Sequence, residues 1–132
     1  MDTQIKKQSI LIVEDEVSML NALRDKFTRE DFAVFEAKNG ERGLEIALRE
    51  HPDLILLDIA MPVMDGMTMM KKLRQENDWG KKVPIILLTN LNEDDKINIR
   101  ITEDEPAYYL VKSDWKIDDV VKKVRERLSR KV

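Results

Sequence analysis

The chain has 132 residues, a hydrophobic share of 42% and a charged share of 37% that sums to a net charge of only −3. That length suits one domain with a real core, and mixed-sign charge of this kind is mostly solvated surface. With no cysteine, disulfides, thiolate chemistry and Cys-based zinc sites are excluded. A pI near 5.3 argues against binding nucleic acid through its backbone charge. The one basic run, Arg125, Arg127, Arg130 and Lys131, reads as a solvated helix end.

Taken in chain order, residues 1–8 are an expected frayed end and Ser9–Val13 is the first strand. Its apolar run is cut by Glu14, Asp15 and Glu16, too soon for a signal-peptide core. No stretch approaches a membrane span, and a cytoplasmic location is expected. Val17, Leu20, Leu23 and Phe27 recur at helical spacing. Residues 33–36 form a second strand. A second helix covers 43–49, with Leu44, Ala47 and Leu48, closed off by Pro52. The third strand, 54–57, and the fourth, 85–88, are unbroken apolar runs, as strands covered on both faces must be.

Between them Met67, Met70 and Leu73 mark a third helix, which the 77–80 stretch ends. This Met pair is read as core filling. Across 93–106, Ile97, Ile99 and Ile101 alternate as in a strand, yet a parallel crossover calls for a helix there. Tyr108–Val111 is the fifth strand. Ile117, Val120, Val121, Val124 and Leu128 make a last helix, with Ser113 or Asp114 as its N-cap. Strands alternating with helices give an α/β fold with a parallel sheet, and five such units would fill the chain, so a single domain, 1–132, with no output domain is expected.

In such sheets function gathers at the carboxyl ends of the strands. Those positions hold Glu14 and Asp15, Asp58, Thr89 and Lys112. Each has a plain structural reading: a helix cap for Asp15 or Glu16, a turn residue for Thr89, a surface charge for Lys112. All five together at the strand ends is a much less likely accident. Carboxylates about 4 Å apart repel by roughly 4 kcal/mol at an effective dielectric near 20, so a proton or a cation must join them. A hard divalent ion held by carboxylates and water describes Mg²⁺, and with a nucleophilic carboxylate and a lysine the set suits phosphoryl transfer. The single histidine, His51, leaves little scope for zinc or copper.

The segments Ile10-Leu-Ile-Val-Glu-Asp-Glu16, Leu56-Leu-Asp-Ile-Ala-Met-Pro-Val-Met-Asp-Gly66, Leu88-Thr89 and Tyr109-Leu-Val-Lys112 resemble the receiver domains of two-component response regulators. The resemblance covers nearly the whole chain and implies a flavodoxin-like (βα)5 three-layer sandwich with strand order 2-1-3-4-5. It implies Asp58 as phosphoacceptor, and Mg²⁺, with Mn²⁺ as a substitute, held by Glu14, Asp15, Asp58 and the carbonyl of Ala60. Thr89 and Lys112 would hold the phosphoryl group while Tyr109 moves with them. Pro62 and Gly66 would shape the loop, proline by restriction and glycine by backbone freedom. The implied partners are a histidine kinase or phosphotransfer protein and a downstream protein target, with a monomer or a weak phosphorylation-dependent dimer.

The chain departs from the family pattern in places. Ser113 stands where proline usually follows the lysine, and a cis Lys112–Ser113 bond would cost roughly 3 kcal/mol. Asn90 replaces a small residue after Thr89, and Glu105-Pro106 replaces Gly-Ala. Two other readings compete. A degenerate receiver would bind a partner without phosphorylation, but no expected acidic or lysine residue is missing. A haloacid-dehalogenase-type phosphatase would need a second Asp two residues after Asp58, where Ala60 stands.

Overall fold

The computed structural model describes residues 7–89, 108–111 and 116–129. The elements run β1 (Ser9–Val13), α1 (Val17–Arg29), β2 (Ala33–Ala37), α2 (Gly40–Glu50), β3 (Leu54–Asp58), α3 (Gly66–Glu76), α4 (Asp78–Lys82), β4 (Ile85–Thr89), β5 (Tyr108–Val111) and α5 (Ile117–Ser129). All strand pairs are parallel, in the order β2-β1-β3-β4-β5. The expected order is therefore observed. The segment 93–106, Asn90 and the peptide between Lys112 and Ser113 lie outside the described residues, as do both proposed caps of α5.

The continuous apolar runs resolve into two cores. Successive strand side chains point to opposite faces, so Leu11, Val13, Ile55, Leu57, Ile85 and Leu87 meet Ile46 and Ala47 of α2 and Met69, Met70 and Leu73 of α3. Ile10, Ile12, Leu54, Leu56, Ile86 and Leu88 meet Leu20, Leu23 and Phe27 of α1 and Val120, Val121 and Val124 of α5. The result is three layers, helix over sheet over helix. Ile10–Val13 and Leu54–Leu57 are shut off from water on both sides, which is why these stretches of β1 and β3 are wholly apolar.

Several expected details shift. Val17 belongs to α1 but is 52% exposed, because it opens the helix beyond the edge of the core. α2 begins three residues earlier than its apolar spacing suggests: the Asn39 side chain accepts from the Arg42 N–H at 2.8 Å and starts the helix at Gly40. Met69 joins Met70 in the buried stripe of α3, while Met67 packs partly buried against the same core. Asn77 ends α3 but also begins α4, its side chain accepting from the Gly80 N–H at 2.7 Å. Gln8 is not loose, since its carbonyl accepts from the Ala33 N–H at 3.0 Å and extends the β1–β2 pairing.

Candidate functional site

β1 and β3 are neighbours, and both end at the same edge of the sheet. Glu14 leaves β1 with its N–H on the Ala37 carbonyl at 3.0 Å, which draws the residue inward. It is fully buried, and its carboxylate accepts from the Glu16 N–H at 3.2 Å. Glu16 sits at the N-cap of α1 without a side-chain bond to the helix backbone, so a capping bond from Glu16 is not what its carboxylate supplies. Asp58 is the last residue of β3 and is 4% exposed.

One carboxylate oxygen from each of Glu14, Asp15 and Asp58 lies within 4.8 Å of the other two. That is the span of a small cation's ligand shell, and two of the three groups are removed from bulk water. Like charges so placed repel strongly, and a hard divalent ion offsets that repulsion better than solvent reaching a buried edge. The donor set is all oxygen, which suits Mg²⁺ rather than a soft metal.

Ala60 is exposed in the loop that follows Asp58. Thr89 closes β4, one residue beyond Leu88, which pairs with Asp58. Tyr109 pairs with Leu87 in β5, one strand further out. The sheet thus brings the backbones of Glu14, Asp58 and Thr89 to one edge. Lys112, the fifth member of the expected set, lies outside the described residues.

The loop from Ile59 to Asp65 is pinned at several points. The Ile59 N–H donates to the Leu88 carbonyl at 3.2 Å, and the Gly66 N–H donates to the Ile59 carbonyl at 2.9 Å. Gly66 is needed for a different reason than the expected conformational freedom. It has no positive φ, but a Cβ there would lie 2.2 Å from the Asp58 carbonyl oxygen. The start of α3 is thereby pressed against the backbone of Asp58. Asp65 caps the same helix, its carboxylate accepting from the Thr68 N–H at 2.8 Å.

A second close approach escapes sequence reading. The Gly40 N–H donates to the Met64 carbonyl at 3.0 Å, and a Cβ on Gly40 would lie 2.4 Å from that oxygen. The N-terminus of α2 thus rests on the loop after Asp58. The only sequence signal is Asn39-Gly40, which reads as a helix start and hides the contact.

The response regulator receiver domain family matches residues 10–125. The chain belongs to that family. It is 39% identical over 98 residues to the protein named "Probable transcriptional regulator ycf27" of Porphyridium aerugineum, covering 74% of this chain and 38% of that one. The chain therefore spans well under half the length of that relative. Sporulation initiation phosphotransferase F of Bacillus subtilis is 34% identical over 90 residues, covering 68% of this chain and 70% of the relative. Among solved structures, the receiver domain of the sensor histidine kinase PA1611 of Pseudomonas aeruginosa superposes with a TM-score of 0.79 at 25% identity. That match covers 95% of this chain and 100% of the other, and the relative carries a magnesium ion coordinated in its active-site cleft. Among the described residues of the present chain, no helix is long and apolar enough to cross a membrane.

Proposed function

We propose that this receiver domain is a phosphoacceptor switch, in which Asp58 takes a phosphoryl group from a histidine kinase or phosphotransfer protein and a protein-binding surface changes in response. The observation that carries the reading is the gathering of Glu14, Asp15 and Asp58 within 4.8 Å at the edge of a buried parallel sheet. The magnesium in the cleft of the Pseudomonas relative supports the same use of these oxygens.

Glu14, Asp15, Asp58 and the Ala60 carbonyl would hold Mg²⁺, with Glu14 acting largely through water; Mn²⁺ is a substitute of the same hard character. Bound there, the ion neutralises charge on the transferring phosphoryl oxygens. A carboxylate oxygen of Asp58 attacks phosphorus, the bond from phosphorus to the donor's imidazole nitrogen breaks, and the nitrogen leaves with the electron pair. Burial of Asp58 at the end of a rigid strand fixes the direction of attack. Lys112 is assigned to the phosphoryl oxygens, Thr89 to a hydrogen bond with them, and Tyr109 to the movement that follows. The added charge and acceptor oxygens then favour the conformer with Thr89 and Lys112 drawn inward.

The test is incubation with acetyl phosphate, with and without Mg²⁺, read by intact mass. The wild type gains one phosphate only with Mg²⁺, and Asp58→Asn gains none. A wild type that takes up no phosphate at any Mg²⁺ concentration would leave a binding module that works unphosphorylated.

A further inference from the structure

Among the described residues, three that are not glycine have positive φ: Asp31 at 72°, His51 at 47° and Val63 at 68°. The first two sit at helix ends, where hydrogen bonds compensate the conformation. After α1 the Asp31 N–H donates to the Thr28 carbonyl and the Phe32 N–H to the Phe27 carbonyl; after α2 the His51 N–H donates to the Ala47 carbonyl. Asp and His also tolerate this region better than most residues.

Val63 has no helix end beside it and no tolerance of its own for this region. It is β-branched, for which positive φ is a true outlier. Its side chain is 74% exposed, so packing does not reward it. The Met64 N–H donates to the Pro62 carbonyl at 2.8 Å and closes a three-residue turn around Val63, the rare and strained kind of γ-turn.

The turn is held from outside. Gly40 grips the Met64 carbonyl on one side of Val63, Gly66 grips the Ile59 carbonyl, and the Ile59 N–H is tied to β4. Strain of this kind persists only where the surroundings over-determine it, and it concentrates at functional sites. Here it lies in the loop that joins Asp58 to α3.

We infer that Val63 is a positioning residue: its strained turn pre-sets the loop after Asp58 so that the site needs little rearrangement to take a metal ion. The inference rests on the reading of the site given above. Glycine at this position would reach the same φ without strain but would free the loop, and ordering a free loop weakens binding. Stability and affinity should therefore move in opposite directions.

The experiment compares wild type with Val63→Gly and Val63→Asn, by thermal unfolding without metal and by calorimetric titration with MgCl₂. The glycine variant is expected to unfold about 2–5 °C higher. Its Mg²⁺ dissociation constant is expected to rise about fivefold, a change within reach of backbone strain. The asparagine variant, which accepts positive φ yet keeps a Cβ, should gain stability and lose less affinity. A glycine variant that binds Mg²⁺ as well as wild type, or that melts lower, overturns the inference alone. A wild type that binds no Mg²⁺ overturns the reading of the site and the inference with it.

Discussion

At the carboxyl ends of β1 and β3, three carboxylates converge, and two of them, Glu14 and Asp58, are buried. Between α1 and α5 the charges instead alternate in sign and stay near water. Lys26 pairs with Asp118 at 2.8 Å and with Glu30 at 3.5 Å, while Arg125 reaches Glu30 at 2.9 Å and lies over the Phe32 ring. The second cluster is what stability alone would select: opposite charges, solvated, joining two helices. The first works against stability, since like charges are gathered where water screens them poorly. Under the proposed function that cluster is kept for the cation it would hold.

The largest expected effect comes from breaking the clamp that holds the acidic edge together. In Gly66→Ala the new methyl meets the Asp58 carbonyl, a backbone atom that cannot turn aside. A loss of roughly 3 kcal/mol in urea unfolding is expected. A loss below the error of the fit would mean that the loop yields freely.

Asp58→Asn sharpens the contrast with an effect of opposite sign. Removing one of the like charges should stabilise the metal-free domain by roughly 1 kcal/mol, since the repulsion relieved is a few kcal/mol before screening and compensation. The same variant should lose the rise in unfolding temperature that Mg²⁺ gives the wild type. A destabilised Asp58→Asn would mean that the acidic cluster is structural.

The smallest effect belongs to the α1–α5 cluster, and it depends on pH. The Asp118 carboxyl is held below its ordinary value by its bond to Lys26, and Glu30 is held low chiefly by Arg125; Lys26 is raised, chiefly by Asp118. The carboxylate share of this stability is present above their ordinary values of 3.8 and 4.5 and is lost as pH falls through the depressed folded values. The Lys26 share is present below 10.5 and is lost as pH rises through the raised folded value. Asp118→Asn should therefore lower the unfolding midpoint slightly at pH 7 and at low salt, and match the wild type in acid and at high salt. A difference that survives high salt would assign Asp118 another role.

The fold is legible wherever burial writes itself as periodicity. Unbroken runs at 54–57 and 85–88 mark the central strands, and the strand ends then name Glu14, Asp58 and Thr89 without any contact being known. What escapes is most of what depends on small residues, Gly66 in its motif aside. Gly40 and Gly43 lie on the buried face of α2, but a count of apolar residues passes over them. The five residues of α4 are too short to show a period, and Asn77 serves as the stop of one helix and the start of the next. The strain at Val63 has no signature in composition at all.

The most direct measurement locates the phosphoryl group. Wild-type protein is phosphorylated with acetyl phosphate and Mg²⁺ and reduced with borohydride, which converts an aspartyl phosphate to homoserine. Tandem mass spectrometry then reads which residue changed. Homoserine at 58, and nowhere else, is the predicted result; reduction at Asp15 or another carboxylate, or at none, would contradict the assignment of Asp58 as the phosphoacceptor.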